Sequence, residues 1–260
     1  MEAVSTARVA DVVNDALAAL HEVLERHHVS EREWHAALAF LTEVGRADEF
    51  ILLSDVTRTS VLIDAMEHGG DKSGATASDV EGPLYVDDPP WREAPVKVYE
   101  DYEGMADADV LFVRGSVTST DGKPLPEAVI DIWQTGPNGG YDIWDDRQPE
   151  FNFRGRWRVE DDGGAYEFQT MLPKPYTVPT QGPVGRYLEA MGQHSWRPAH
   201  IHFKVTAPGN EPLITQVFFP GDPYLENDTI GAVKGALVRP VESEGDHLAC
   251  PFDIVLRPAA

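Results

Sequence analysis

Residues 110–134 decide the fold. They run Val110-Leu111-Phe112-Val113-Arg114-Gly115-Ser116-Val117, then the turn signal Thr120-Asp121-Gly122, then Val129-Ile130-Asp131-Ile132-Trp133-Gln134. Short runs rich in β-branched and aromatic residues, bounded by turn-formers, read as strands. Outward from this pair the same texture returns at Ala165 to Thr170, Ile201 to Thr206, Ile214 to Phe219 and Phe252 to Leu256, with a second turn signal at Asp161-Asp162-Gly163-Gly164. Many short strands at such spacing predict an antiparallel β-sandwich.

Upstream the period changes to that of helices. Val9, Val12, Val13, Ala16, Leu17, Leu20, Val23 and Leu24 recur at three- and four-residue steps and fall on one face of a first helix. Ser30 followed by Glu33 is a capping-box pattern that opens a second helix through Trp34, Leu38 and Leu41, with Gly45 placed to end it. A third helix is predicted from Asp48 to near Met66. Such short amphipathic helices cannot bury their apolar faces alone, so they must pack on the rest of the chain or on a second copy. Gly69 to Pro95, with Gly69-Gly70 and Pro89-Pro90, reads as a surface connection. The expected class is therefore mainly β with α, a helical region over 1–70 packed on a β-sandwich domain over 71–260.

A chain of 260 residues, 42% hydrophobic, can bury a substantial core. Its formal charge of −23 would repel nucleic acid and an anionic membrane surface. No apolar run approaches the roughly 20 residues of a membrane span, and Met1 to Val12 lacks a basic-then-apolar signal pattern, so a cytoplasmic, soluble protein is expected. Cys250 is the single cysteine. An internal disulfide and a thiolate cluster are excluded, and any metal must be held by nitrogen and oxygen.

Arg197-Pro198-Ala199-His200-Ile201-His202 carries the sharpest chemical signal. Side chains two apart on a strand share a side, so His200 and His202 would present two imidazoles together while Ile201 faces the other layer. The same alternation also arises on an ordinary solvent-facing strand. A His-Glu-x-x-His zinc pattern is absent, which brings tyrosine into consideration. Tyr141, in Gly139-Gly140-Tyr141-Asp142, and Tyr176, in Pro173-Lys174-Pro175-Tyr176-Thr177-Val178-Pro179, sit in Gly- or Pro-bound loops. A phenol with an ordinary pKa of about 10 ionises at neutral pH only beside strong positive charge, which a hard trivalent cation supplies. Each tyrosine taken singly could equally pack on a sheet with its hydroxyl bonded to backbone.

Gly182-Pro183-Val184-Gly185-Arg186 through Arg197-Pro198-Ala199-His200-Ile201-His202-Phe203, with Tyr176 upstream and Thr215-Gln216 downstream, closely resembles the catechol 1,2-dioxygenase family of intradiol ring-cleaving enzymes. Glu81-Gly82-Pro83-Leu84-Tyr85 and Gly115 to Trp133 do so too. The likeness runs from about Glu33 to Leu256 and implies Fe(III) held by Tyr141, Tyr176, His200 and His202. It further implies catalytic roles for Tyr176 as proton acceptor, for Arg197 as the active-site arginine and for Gln216 behind the ligands. Catecholic substrate and O2 would give a cis,cis-muconate. The substrate wall implied by the resemblance falls on Leu52, Asp55 and Val56, on Val80, Gly82, Pro83 and Leu84, and on Val178 and Pro179. An aspartate at Asp55 looks like the chlorocatechol and hydroxyquinol branches, although a helix cap would also account for it. Glu81 departs from the hydroxyquinol pattern. The family's members are homodimers joined through N-terminal helices, sometimes with a phospholipid between them, and the same is expected here. The alternative is a non-catalytic transthyretin-like β-sandwich that only binds, since Arg114 to Val129 also resembles the opening of such modules and fold alone does not give function. A cupin dioxygenase would need a His-x-His-x₃₋₄-Glu spacing that the sequence lacks.

Overall fold

The computed structural model describes residues 5–103, 105 and 108–259; Met1 to Val4 and Ala260, at the ends of the two expected regions, lie outside the described residues. The chain divides into two compact units between Asp48 and Glu49.

The first unit holds α1 (Thr6–Arg26) and α2 (Glu31–Arg46). The capping box forms as read: Ser30 Oγ accepts from Glu33 N at 3.3 Å and Ser30 N donates to Glu33 Oε2 at 2.8 Å. Gly45 does not end α2. The helix continues to Arg46, and the left-handed residue that redirects the chain is Asp48, at φ 56°. Val9, Val12, Val13, Leu17, Leu20 and Val23 are exposed along α1, as are Trp34, Leu38 and Leu41 on α2.

The second unit opens with α3 (Phe50–Val56) and α4 (Thr59–His68). These replace the single helix expected from Asp48 to Met66, because Arg58 takes φ 61° and breaks it. The strands follow as β1 (Val96–Lys97), β2 (Val110–Ser119), β3 (Val129–Gln134), β4 (Arg154–Arg158), β5 (Ala165–Met171) and β6 (Tyr176–Thr177). After α5 (Pro183–Ala190) come β7 (Trp196–Arg197), β8 (His200–Thr206), β9 (Leu213–Phe218), β10 (Glu242–Glu244), β11 (His247–Pro251) and β12 (Ile254–Leu256). The four-stranded sheet β4-β3-β8-β9 is antiparallel throughout, as expected. The larger sheet, β1-β5-β2-β11-β10 with β12 also on β2, is mixed: β11 and β12 run parallel to β2, and β1 runs parallel to β5. The strand expected over Phe252 to Leu256 is only its second half, since Phe252 and Asp253 separate β11 from β12.

Between the sheets one apolar core gathers Leu111, Val113, Phe168, Ile130, Ile132, Ile201, Phe203, Val205 and Phe252. Alternation along each strand then sends the intervening side chains of the four-stranded sheet to its other face. Glu49 Oε2 accepts from Val184 N at 2.8 Å at the start of α5, and a Cβ on Gly182 would lie 1.6 Å from Glu49 Oε1, so a side chain there would push that carboxylate aside.

Candidate active site

The far face of the four-stranded sheet is a ladder of polar and aromatic side chains. Register puts Arg154, Trp133, His202 and Gln216 in one row across β4, β3, β8 and β9, and Arg156, Asp131 and Lys204 in the next. His200 and His202 share this face, and both are 2% exposed. Trp133 stacks on the His202 ring at 4.5 Å and 7°.

The two tyrosines arrive from separate segments that lock against each other. Gly139 has φ 78°, and a Cβ there would come within 3.0 Å of Pro175 O and 3.7 Å of Tyr176 Cβ, so the Tyr141 turn lies directly on the Tyr176 segment. The rings meet edge-on, with centroids 5.5 Å apart, and the Tyr176 ring lies 5.6 Å from His200. Tyr176 occupies β6 rather than an irregular loop, and β6 pairs with β7 so that Tyr176 stands opposite Arg197.

Arg197, 3% exposed, is gripped from three sides. Its Nε donates to Asp228 Oδ1 at 3.2 Å, its Nη2 to Gln216 Oε1 at 3.1 Å and to Asp228 Oδ2 at 3.4 Å, and its Nη1 lies 3.2 Å from His200 Nε2. Burial opposes its charge, but the Asp228 carboxylate, with Tyr176 and Asp79 adding to it, outweighs that and holds it firmly protonated. Gln216 Nε2 in turn donates to Val80 O at 3.0 Å.

The donor atoms bear on whether a metal fits. His200 Nδ1 lies 2.8 Å from Pro198 O, a contact that fixes its proton there and makes Nε2 an acceptor, which Arg197 Nη1 approaches at 3.2 Å. The same nitrogen faces His202 Nε2 at 3.0 Å. Burial, with Arg197 adding to it at His200 and His200 and Arg197 at His202, pushes both imidazoles well below their ordinary range, so two neutral rings stand nitrogen to nitrogen. Two nitrogens each about 2.1 Å from one ion, set at about a right angle, would be about 3.0 Å apart. The Tyr141 hydroxyl is sealed from solvent with no hydrogen-bond partner. Burial, with Tyr176 beside it, pushes that phenol far up in a protein without metal, and burial raises Tyr176 while Arg197 draws it back. Among the described residues no three His, Cys, Asp or Glu side chains gather as a metal site, and the Tyr141 and Tyr176 phenols are further oxygen donors close to these imidazoles. The donor set fits a hard cation.

The residues expected to form the substrate wall are partly brought to this place. Gly82, at φ 73°, puts its missing Cβ 3.9 Å from His202 Cε1. Leu84 packs with Trp133, Tyr141 and Tyr176. Asp55, Val80 and Gly82 line a cleft of about 420 Å³ together with Ser54, Ser60 and Ile63. Leu52, Val56 and Val178 are buried, Pro179 is half-buried and Pro83 is exposed. Asp55 is not a cap: it lies in the last turn of α3, 2% exposed, where burial pushes its carboxyl up and Ser60 and Arg197 pull it back. A larger cavity of about 560 Å³, lined by Lys234, Asp64 and Arg257, holds none of the four donors. Its charges pair among themselves, Lys234 with Asp64 and Arg257 with Asp71.

Sequence reading missed Asp228, Asp142 and Arg154. Asp228 lies in Asn227-Asp228-Thr229, a pattern indistinguishable from a surface turn. Arg154 belongs to an alternating Arg154, Arg156, Arg158 strand that reads as solvated, yet it is 1% exposed.

Similarity to known proteins identifies the family. A family profile described as "Dioxygenase" matches residues 80–258, and one described as "Catechol dioxygenase N terminus" matches 6–74. A chlorocatechol 1,2-dioxygenase of Cupriavidus pinatubonensis is 38% identical over 253 residues, 97% of this chain and 96% of the relative. A hydroxyquinol 1,2-dioxygenase of a Rhizobium species is 40% identical over 225 residues, 84% of this chain and 74% of the relative. The crystal structure of 3-chlorocatechol 1,2-dioxygenase from Rhodococcus opacus superposes with a TM-score of 0.88 at 30% identity, covering 98% of this chain and 100% of that one. With both profiles matched in order and that similarity sustained along nearly the whole length, the chain belongs to the intradiol catechol dioxygenases, non-haem iron enzymes that open an aromatic 1,2-diol with O2.

Proposed function

We propose that Tyr141, Tyr176, His200 and His202 hold Fe(III), and that the substrate is a catechol carrying a polar or halogen substituent rather than catechol itself. One observation supports the metal assignment: two buried imidazole nitrogens stand 3.0 Å apart beside a sealed phenol whose hydroxyl has no hydrogen-bond partner, a cluster of donor atoms that a hard cation would satisfy together. Asp55, buried near Arg197 and lining the cleft, supports the substrate assignment, as a buried carboxyl in the wall discriminates by what it can pair with.

Iron(III), when bound, draws electron density from a catecholate and so opens a ring carbon to O2. The chain's own residues do the rest. Tyr176 accepts a proton from a catechol hydroxyl. Arg197, held charged by Asp228, offsets negative charge that develops on the ring, and Gln216 keeps its guanidinium in place. Trp133, Leu84 and the two tyrosines exclude water.

Residues 1–70 serve to join two copies through the exposed apolar faces of α1 and α2, with room for a phospholipid, and 71–260 carry the iron site. Among the described residues no helix is long and apolar enough to cross a membrane, and a cytoplasmic enzyme is proposed. A monomeric mass in light scattering would refute the dimer.

Purified iron-loaded protein should absorb visible light through phenolate-to-iron charge transfer, and a colourless loaded protein would refute the ligand set. Tyr176→Phe should keep iron yet lose turnover. With labelled O2 both atoms should enter the product. If catechol itself gives a higher kcat/KM than 4-chlorocatechol and hydroxyquinol, the substrate assignment is wrong.

A further inference from the structure

Arg154 is a second buried cation at the site, and the mechanism above leaves it unused. It stands on β4 directly opposite Trp133, with its side chain 1% exposed. Nε donates to Asp142 Oδ1 at 2.6 Å and Nη1 to Leu84 O at 2.7 Å, while Nη2 is sealed without a partner. The guanidinium carbon lies 5.4 Å from the centre of the Tyr141 ring. Asp142, whose side chain is 4% exposed, follows Tyr141 directly and is tied down at its other oxygen, which accepts from Phe151 N at 3.1 Å.

Strand geometry does not require this burial. Arg156, two residues on and on the same face, keeps a quarter of its side chain in water and pairs with the exposed Asp88. A sealed ion pair with one donor unmet contributes little to stability compared with apolar packing of the same volume. What the pair does accomplish is local: one guanidinium fastens the Tyr141 turn to the Leu84 backbone and presses a positive charge on the Tyr141 ring, with Asp142 as a partial counter-charge.

We propose that Arg154, balanced by Asp142, is the positioning residue of Tyr141 and sets how strongly that phenol gives electrons to the metal. The inference rests on Tyr141 being an iron ligand. A phenol binds metal through its oxygen, whereas this guanidinium lies against the ring, so its field acts mainly on the donor electrons.

The test uses the full-length, iron-loaded protein without substrate and reads the visible charge-transfer band. Arg154→Met removes the cation and should move the band to longer wavelength by on the order of tens of nanometres. Asp142→Asn removes the counter-charge, leaves the cation unopposed and should move it to shorter wavelength. A clamp that is merely structural would loosen the same turn in both variants, so shifts of one sign, or no shift with a lowered Tm, would overturn the proposal. Arg154→Lys keeps the charge without the two-pronged grip: its band should stay near that of the unmodified protein while a chelator strips iron faster. A band in Arg154→Lys displaced as far as in Arg154→Met would also overturn it. Should the unmodified protein bind iron without any band, the ligand assignment itself fails, an outcome distinct from those.

Discussion

On one face of the β4-β3-β8-β9 sheet, Ile130, Ile132, Ile201, Phe203, Val205 and Val217 point into the sandwich, each with no exposed surface. On the other face the same strands raise Arg154, Trp133, His202 and Gln216, none more than 2% exposed. Burial therefore does not distinguish the faces. Hydrogen bonding does, because Arg154 Nη2, Trp133 Nε1, His202 Nδ1 and Tyr141 Oη are all sealed without a partner, and each such atom costs stability. One face is packed for the folded state. The other keeps polar atoms that the chain itself leaves without partners, and it persists because the first face supports it.

The comparison can be broken experimentally. The largest effect is expected for His200→Ala and His202→Ala: iron content and turnover should fall to background, while urea unfolding of the metal-free protein changes by no more than about 1 kcal/mol. A large loss of metal-free stability would mean that the polar face also holds the fold. Phe203→Ala, one residue along the same strand, should cost about 3–5 kcal/mol of stability, yet the surviving folded protein should bind iron in full ratio. Arg197→Gln should lower kcat by about 10²- to 10³-fold with a smaller change in KM, the signature of a donor used in the transition state.

The smallest effect concerns pH. Asp79, buried with Oδ2 unpartnered, is pushed up to about 7 mainly by burial, although Val80 N and the charges of Arg197 and Lys234 oppose it. Its unfolded value is about 3.9. Between these values the native state holds a proton that the unfolded state has lost, so stability falls as pH rises through that window, by up to about 1.4 kcal/mol per pH unit. Asp79→Asn should remove that slope between about pH 5 and 7, and an unchanged slope in urea titrations would assign it to other groups.

Much of this was legible in sequence. Strands β2 and β3 begin where their β-branched runs begin, the Ser30 cap closes as its spacing implies, and His200 and His202 share a face because a strand has a two-residue period. Non-local choices were not. Whether β11 and β12 run parallel to β2 depends on how the chain returns across the sandwich, and Gly45 cannot mark a helix end when Asp48 turns the chain instead. Asp228 and Arg154 look like surface charges until their partners enclose them.

Residue types and their spacing determined by themselves that no internal disulfide or multi-cysteine cluster could form, and that two imidazoles would stand side by side. These follow from composition and from covalent geometry over two residues. Only the tertiary structure decided that Tyr141 and Tyr176 meet, 35 positions apart, through the close approach of Gly139 to Pro175, and that Asp228 rather than Asp55 or Asp79 pairs with Arg197. Distances between segments far apart in sequence are set by packing and register, and no local pattern records them.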